Sequence, residues 1–236
     1  MNGLPRALLL DLDDTILDDS STAEACWTRV AEAFAGAAGG DAAALRAAVE
    51  GEKALYWADR ERHRAGRLDL HAARTAICAA ALRRLGLAPD GVAPRMARAY
   101  AALRREAWRP FPGALEALAA FRERGVRMAL LTNGASDVQR EKIARFGLAP
   151  FFEGIFVEGE MGYGKPDERV FRRALEAVGA EPGGAWVVGD NLEWEVAPAR
   201  RLGMGSVWVD ARGAGLPPDP PALPDRTVRG IRELVA

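Results

Sequence analysis

The sequence predicts an α/β protein with a parallel sheet between two layers of helices and a separate helical insertion. Two observations predict this fold. From Phe111 onward, apolar strand-like runs alternate with helix-like segments, which is typical of parallel strands joined by right-handed crossovers. Residues 20–106 are instead rich in Ala, Leu, Arg and Glu, show no alternating β pattern, and predict about four helices.

The first strand is predicted over residues 6–11, where the run Ala7-Leu8-Leu9-Leu10 ends in acidic residues. An uninterrupted apolar run of this length is typical of a strand that is buried on both faces. This strand has to join the same sheet as the later ones, so the helical segment interrupts the α/β part. We therefore expect an α/β domain over residues 1–17 and 108–236, and a helical domain over residues 18–107.

The elements after Phe111 follow in strict alternation. Helices are predicted at 114–124, 137–146, 168–178 and 195–202, and strands at 126–131, 155–157, 185–188 and 206–209. The Pro-rich segment 213–226 is predicted to be a surface loop, followed by a short helix over 230–235.

Composition excludes several classes of function. The 236 residues carry a net charge of −1, so no electrostatic argument favours nucleic acid or an anionic membrane as a partner. The apolar run near the N-terminus is too short for a signal peptide, and no apolar stretch could span a bilayer, so we expect a cytoplasmic protein. Cys26 and Cys78 lack metal-site spacing and are expected to remain thiols.

Polar clusters follow the strand-like runs at four places. They are Asp11-Leu12-Asp13-Asp14-Thr15, Leu131-Thr132-Asn133-Gly134, Gly164-Lys165-Pro166-Asp167 and Gly189-Asp190-Asn191-Leu192-Glu193-Trp194-Glu195. In this order they resemble the four motifs of the haloacid dehalogenase (HAD) superfamily of hydrolases, over roughly residues 1–17 and 108–210. The resemblance implies a Rossmann-like α/β/α core, with a helical cap inserted between the first and second motifs.

The first cluster places carboxylates at the edge of the sheet where ligands bind. Asp11 and Asp13 lie two residues apart at the carboxyl end of a parallel strand, where close like charges repel unless a cation joins them. The resemblance implies that Asp11 is a nucleophile that forms an aspartyl phosphate. Asp13 would protonate the leaving alcohol and later take a proton from the hydrolytic water.

The resemblance also implies a set of positive groups around a phosphate dianion. Mg²⁺ would be held by the Asp11 carboxylate, the Asp13 main-chain carbonyl and Asp190. Lys165, the Thr132 hydroxyl and the Asn133 amide would contact the oxygens of the transferring group.

Lysine is rare in this chain, because only three of its 32 Lys and Arg residues are lysine: Lys53, Lys142 and Lys165. A lysine between Gly164 and Pro166 indicates that a compact ammonium is needed there in place of a planar guanidinium. We expect Lys165 to be catalytic, and we expect arginine to replace Lys53 or Lys142 without effect.

The fourth cluster departs from the usual family pattern. Members of this type commonly carry a second aspartate where this chain has Glu195, five residues after Asp190. Glu195 could bind the metal through a water molecule or orient Lys165. Glu193 is the rival acid in the same loop, although it could equally be an ordinary first-turn carboxylate of a helix.

The predicted function is a Mg²⁺-dependent phosphatase of a small phosphomonoester, such as a sugar phosphate, a nucleotide or phosphoglycolate. A phosphomutase and an inactive binding or regulatory protein are the alternatives, while Asp13 and Asp190 argue against haloacid dehalogenation. A phosphorylated small molecule is the expected partner, and the protein is expected to be a monomer or homodimer. Basic side chains near Trp57 are equally compatible with substrate contact and with a solvated helix face: Arg60, Arg62, His63, Arg64 and Arg67.

Overall fold

The computed structural model describes residues 3–88 and 90–235, so the outermost residues of the predicted α/β domain, Met1, Asn2 and Ala236, lie outside the described chain. The chain divides into two compact units. One comprises the segment up to Asp18 together with the segment from Arg109, and the other comprises Asp19–Trp108. These limits differ by one residue from those expected on sequence.

The described part of the helical unit contains five helices: α1 (Ala23–Ala38), α2 (Ala42–Ala58), α3 (Arg60–Leu68), α4 (Leu70–Arg84) and α5 (Val92–Ala107). The sequence predicts about four helices. The difference arises at α3, which is separated from α2 and from α4 by one residue each, Asp59 and Asp69. Asp59 has extended backbone angles and accepts a hydrogen bond from the Arg62 main-chain nitrogen at 2.8 Å, and Asp69 caps Ala72 at 2.9 Å. Each aspartate therefore starts a new helix without a longer loop.

The helical unit has its own hydrophobic core. Trp27 of α1 stacks on Tyr100 of α5 with ring centroids 3.8 Å apart. Cys26 and Cys78 are both buried free thiols, and burial raises the pKa of Cys78 to about 12. That thiol is therefore a packing group rather than a nucleophile.

The α/β unit is built on a six-stranded sheet. Its strands are β1 (Ala7–Leu10), β4 (Arg127–Thr132), β5 (Gly154–Val157), β6 (Ala185–Gly189), β7 (Gly205–Val209) and β8 (Arg226–Val228). They pair in parallel in the order β5-β4-β1-β6-β7-β8. A separate antiparallel pair joins β2 (Leu17–Asp18) to β3 (Arg109–Pro110). The predicted parallel α/β core is confirmed.

Helices cover both faces of the six-stranded sheet. The unit contains α6 (Ala114–Glu123), α7 (Ser136–Arg145), the short α8 (Glu158–Met161), α9 (Glu168–Val178) and α10 (Ala197–Arg201). Leu8 and Leu10 of β1 join one core with Phe121 of α6, while Leu9 joins the opposite core with Phe171 of α9. Because strand side chains alternate between faces, one apolar run supplies both layers of packing.

Two elements differ from their sequence prediction. β8 lies where the sequence predicts the end of a surface loop. The strand was not predicted because three residues are too few to show a periodic pattern. The helix expected at 195–202 begins instead with a π-turn over Leu192–Val196 and continues as α10. Among the described residues, no helix is long and apolar enough to cross a membrane.

Candidate active site

The carboxyl ends of neighbouring parallel strands bring the first and fourth motifs together. Asp11 directly follows β1, and Asp190 directly follows β6, its neighbour in the sheet. The Asp11 main-chain nitrogen donates a hydrogen bond to the Val188 carbonyl at 3.0 Å, which extends the pairing past the end of β1. Asp11, Asp190 and Glu195 each present a carboxylate oxygen to one small region, with these oxygens within 4.8 Å of one another.

Lys165 lies inside this acidic group. Its ammonium donates to the Asp11 carboxylate and, at 2.7 Å, to Glu195 Oε1. The side chains of Lys165 and Glu195 are each 3% exposed, so this contact is shielded from water. The two carboxylates raise the pKa of Lys165 above its usual range despite burial, and the ammonium therefore stays charged.

Glu195, rather than Glu193, is the acid that joins the site. Its second oxygen accepts from the Asn191 main-chain nitrogen at 2.6 Å, while the Asn191 side chain accepts from the nitrogens of Glu193 and Trp194. Glu193 is exposed. A β-carbon at Gly189 would collide with the Glu195 carboxylate, so glycine at the end of β6 lets the longer acid fold back toward Lys165.

Asn133 fixes the loop that carries Lys165. Its side-chain oxygen accepts from the Lys165 main-chain nitrogen at 2.8 Å, and its amide nitrogen donates to the Lys165 carbonyl at 2.7 Å. A β-carbon at Gly164 would collide with that side-chain oxygen. The Asn133 side chain thus binds protein backbone through both of its ends, which gives it a positioning role that the sequence argument missed. A phosphate contact from Asn133 stays a prediction.

The ionised forms of two acidic residues around Lys165, Asp11 and Asp190, are destabilised by burial and by neighbouring negative charges. Burial, together with the charges of Glu195, Asp11 and Asp14, raises the pKa of Asp190 to about 9. Burial also raises the pKa of Asp11 to about 6, although Lys165 opposes the shift. Carboxyl groups whose ionised forms are this unfavourable would be stabilised by a divalent cation with hard oxygen ligands.

Asp13 lies in a tight turn after the first strand. β1 ends at Leu10, and the Leu17 main-chain nitrogen donates to the Leu12 carbonyl at 2.9 Å, which closes a turn. The direction of the Asp13 side chain is therefore not set by the alternation of side chains along a strand. Asp14 occupies the left-handed region at φ 58°, which aspartate tolerates better than most residues. Asp13 consequently contacts a different set of side chains from Asp11.

Two residues of α7 hold the Asp13 carboxylate. Lys142 donates to Asp13 Oδ1 at 2.7 Å, and the Gln139 amide nitrogen donates to Oδ2 at 3.0 Å and to the Thr132 hydroxyl oxygen. The expectation that arginine replaces Lys142 without effect stays a prediction. The Lys142 side chain is 4% exposed and bonded to a candidate catalytic acid.

The basic residues near Trp57 lie on or beside α3 in the helical unit. His63 packs edge-on against the Trp57 ring at a centroid distance of 5.4 Å and contacts Arg67 at 3.3 Å. Arg60, Arg62 and Arg64 are exposed. Substrate contact by this group stays a prediction.

Comparison with known proteins agrees with the four motifs. Residues 5–203 match the family of haloacid dehalogenase-like hydrolases. The chain belongs to this family. It is 40% identical to a phosphoserine phosphatase of Thermus thermophilus, with 97% of each chain covered. It is also 30% identical to a glyceraldehyde 3-phosphate phosphatase of Methanocaldococcus jannaschii, over 54% of this chain and 55% of that one.

Solved structures share the fold of this hydrolase. The HAD-hydrolase YfnB of Bacillus subtilis, bound to magnesium, superimposes with a TM-score of 0.73 over 98% of this chain and 97% of that one at 23% identity. A 2-haloacid dehalogenase of Pseudomonas syringae superimposes with a TM-score of 0.64 at 22% identity, over 98% of this chain and 96% of that one. At such identities the likeness concerns the fold alone, and it confirms the expected core with an inserted helical domain.

Proposed function

We propose that this HAD-family hydrolase is a Mg²⁺-dependent phosphatase that transfers the phosphoryl group of a small phosphomonoester to Asp11 and then to water. The observation that carries the proposal is the buried Lys165 ammonium held between Asp11 and Glu195. At the coarser level of a phosphomonoester phosphatase, the expectation is confirmed by the full-length similarity to a phosphoserine phosphatase.

The first step needs a nucleophile beside positive charge. A carboxylate oxygen of Asp11 forms a bond to phosphorus while the bond from phosphorus to the ester oxygen breaks. Lys165 reduces the repulsion between the Asp11 carboxylate and the phosphate dianion, and Asn133 fixes the Lys165 backbone so that the ammonium keeps its place. The Thr132 hydroxyl donates to a phosphoryl oxygen.

Asp13 handles the protons in both steps. As an acid it gives a proton to the departing ester oxygen, and as a base it takes one from the water that attacks the phosphorus of the aspartyl phosphate. The second attack breaks the bond between phosphorus and the Asp11 oxygen, which regenerates the carboxylate and releases inorganic phosphate.

The donor set of the acidic cluster fits a magnesium ion. The carboxylates of Asp11, Asp190 and Glu195 offer hard oxygen ligands within 4.8 Å of one another, and Glu195 would bind directly or through water. The Asp13 main-chain carbonyl is the further ligand that the proposal assigns. When bound, the cation neutralises charge on the phosphoryl oxygens. Among the described contacts, Lys165 is the only ammonium bonded to these carboxylates. Its single positive charge does not balance three carboxylates, so the cluster keeps excess negative charge.

The substrate is a small phosphorylated metabolite. Phosphoserine is the first candidate substrate because of the similarity to the Thermus thermophilus protein. It is added to the candidates expected on sequence, which are sugar phosphates, nucleotides and phosphoglycolate. An inorganic-phosphate release screen across these compounds, with Mg²⁺ and with EDTA, tests both substrate and metal.

Asp11→Asn is the control for that screen. It removes the nucleophile and should abolish phosphate release while the circular dichroism spectrum stays unchanged. Substantial turnover by the purified variant would contradict the assignment of Asp11. Phosphate release that persists in EDTA would contradict the metal requirement, and transfer to a second sugar hydroxyl would indicate a phosphomutase.

A further inference from the structure

The first motif contains three aspartates, and the two lysines of the α/β unit each contact one of them. Lys165 donates to Asp11, and Lys142 donates to Asp13 at 2.7 Å. Lys142 is itself buried and lies on α7, outside the four motifs and 129 residues after Asp13. Burying an ammonium is unfavourable unless it is paired, so an apolar residue would be the simpler choice for packing alone.

We propose that Lys142 and Gln139 are positioning residues for the proton-transfer group of the phosphatase. Together they bind both oxygens of the Asp13 carboxylate, at 2.7 Å and 3.0 Å, and so fix the orientation of a side chain that is still 29% exposed. The inference rests on the proposed function, because the proton-transfer role of Asp13 is part of that function. Lys142 and Gln139 would act through Asp13 and not on the substrate itself.

Helix geometry explains why these two residues act together. They lie three positions apart on α7, so they project from the same side of the helix. Gln139 is 2% exposed, and its amide nitrogen donates to both Asp13 and Thr132. The nitrogen must face them, since a carboxylate can only accept.

Gln139 thereby also orients the Thr132 hydroxyl. A hydroxyl group has one hydrogen, and an oxygen that accepts from Gln139 keeps that hydrogen to donate elsewhere. The single amide thus couples the group that transfers protons to a group that would bind the phosphoryl oxygens. Accurate placement of such groups accounts for a large part of an enzyme's rate enhancement.

A double-mutant cycle tests the proposal with intact protein. Lys142→Met, Asp13→Asn and the combined variant are compared with the wild type on an alkyl phosphate and on p-nitrophenyl phosphate. Lys142→Met should lower kcat on the alkyl phosphate by about tenfold or more, a fraction of what an acid-base group supplies, while KM changes by less than about threefold. In the Asp13→Asn background, the same change should lower kcat by less than about twofold.

Lys53→Met is the matched control. Lys53 pairs with Glu50 on the partly exposed face of α2 in the helical unit, so the same chemical change there should leave kcat unaltered. Gln139→Glu provides a second variant of nearly identical shape that replaces the donor with an acceptor. It should lower kcat in the same way, and it carries the test if Lys142→Met fails to fold as judged by circular dichroism.

The possible outcomes separate this inference from the proposed function. A wild-type protein that releases no phosphate from any substrate would overturn the proposed function, and this inference with it. An active wild type in which Lys142→Met and Gln139→Glu keep full kcat would overturn only the positioning role. Equal fold-losses from Lys142→Met with and without Asp13 would also overturn it, because they indicate a purely structural contribution.

Discussion

The Glu195 carboxylate accepts a hydrogen bond from the Lys165 ammonium at 2.7 Å, with both side chains almost completely buried. Through its other oxygen, Glu195 accepts from the Asn191 main-chain nitrogen at 2.6 Å. Glu195 therefore links the loop after β6 to the loop that carries Lys165. This arrangement makes the position of the ammonium depend on a residue thirty positions away along the chain.

We expect Lys165→Arg to lose activity although the charge is kept. The ammonium fits between two carboxylates in a buried site, whereas a guanidinium is wider and planar and cannot occupy the same space. Turnover of p-nitrophenyl phosphate should fall by about 10²-fold or more. Lys53→Arg, in the helical unit, is the control and should keep wild-type turnover. A near-normal rate for Lys165→Arg would remove Lys165 from the catalytic group.

Glu195→Gln and Glu193→Gln form a matched pair that tests the fourth motif. Glu195→Gln replaces a charged partner of Lys165 with a neutral one, and kcat should fall by about tenfold or more because hydrogen bonds to charged groups are the stronger ones. Glu193→Gln alters an exposed side chain and should change kcat by less than about twofold. Steady-state kinetics on both variants decides between the two acids, and a reversed order would identify Glu193 as the functional one.

Asp13→Asn should affect two substrates differently. An alkyl phosphate needs a protonated leaving group, so its first step should slow by about 10²-fold or more. The phenolate of p-nitrophenyl phosphate leaves unaided, while hydrolysis of the aspartyl phosphate still needs a base. Stopped-flow measurements should therefore show a burst of nitrophenolate near one equivalent per site, followed by slow turnover. Equal losses on both substrates without a burst would assign Asp13 a positioning role only.

The stability of the metal-free protein should fall as pH rises. The pKa values of Asp190, about 9, and Asp11, about 6, lie above the usual 3.8, so the folded protein binds more protons than the unfolded chain between about pH 4 and pH 9. The free energy of unfolding therefore decreases as pH increases through that range. Thermal unfolding in EDTA should give a lower Tm at pH 8.5 than at pH 5.

Asp190→Asn is the control for this pH dependence. It removes the group with the larger pKa shift, so the decrease in Tm between pH 5 and pH 8.5 should become smaller. Added Mg²⁺ should raise the Tm of the wild type more at pH 8.5 than at pH 5, because the cation binds deprotonated carboxylates. Identical pH profiles for wild type and Asp190→Asn would contradict the electrostatic account of the cluster.

The sequence by itself determined the parallel α/β core, most of its strands and helices, and the positions of the four motifs. Uninterrupted apolar runs such as Ala7–Leu10 indicate strands buried on both faces, and acids placed at their carboxyl ends meet at one edge of a parallel sheet. The lysine between Gly164 and Pro166 likewise indicated that a compact ammonium is needed there. These features depend on neighbours close along the chain or on the general geometry of α/β proteins.

Only the tertiary structure decided which side chains meet. Lys142 and Gln139 are more than 120 residues from Asp13 in sequence, and nothing local to α7 marks them as its partners. The contact of Glu195, rather than Glu193, with Lys165 depends on a π-turn and on the absence of a β-carbon at Gly189. Contacts of this kind arise from packing between distant segments, because hydrogen bonds need atoms placed within a few tenths of an ångström, and sequence periodicity does not specify position that finely.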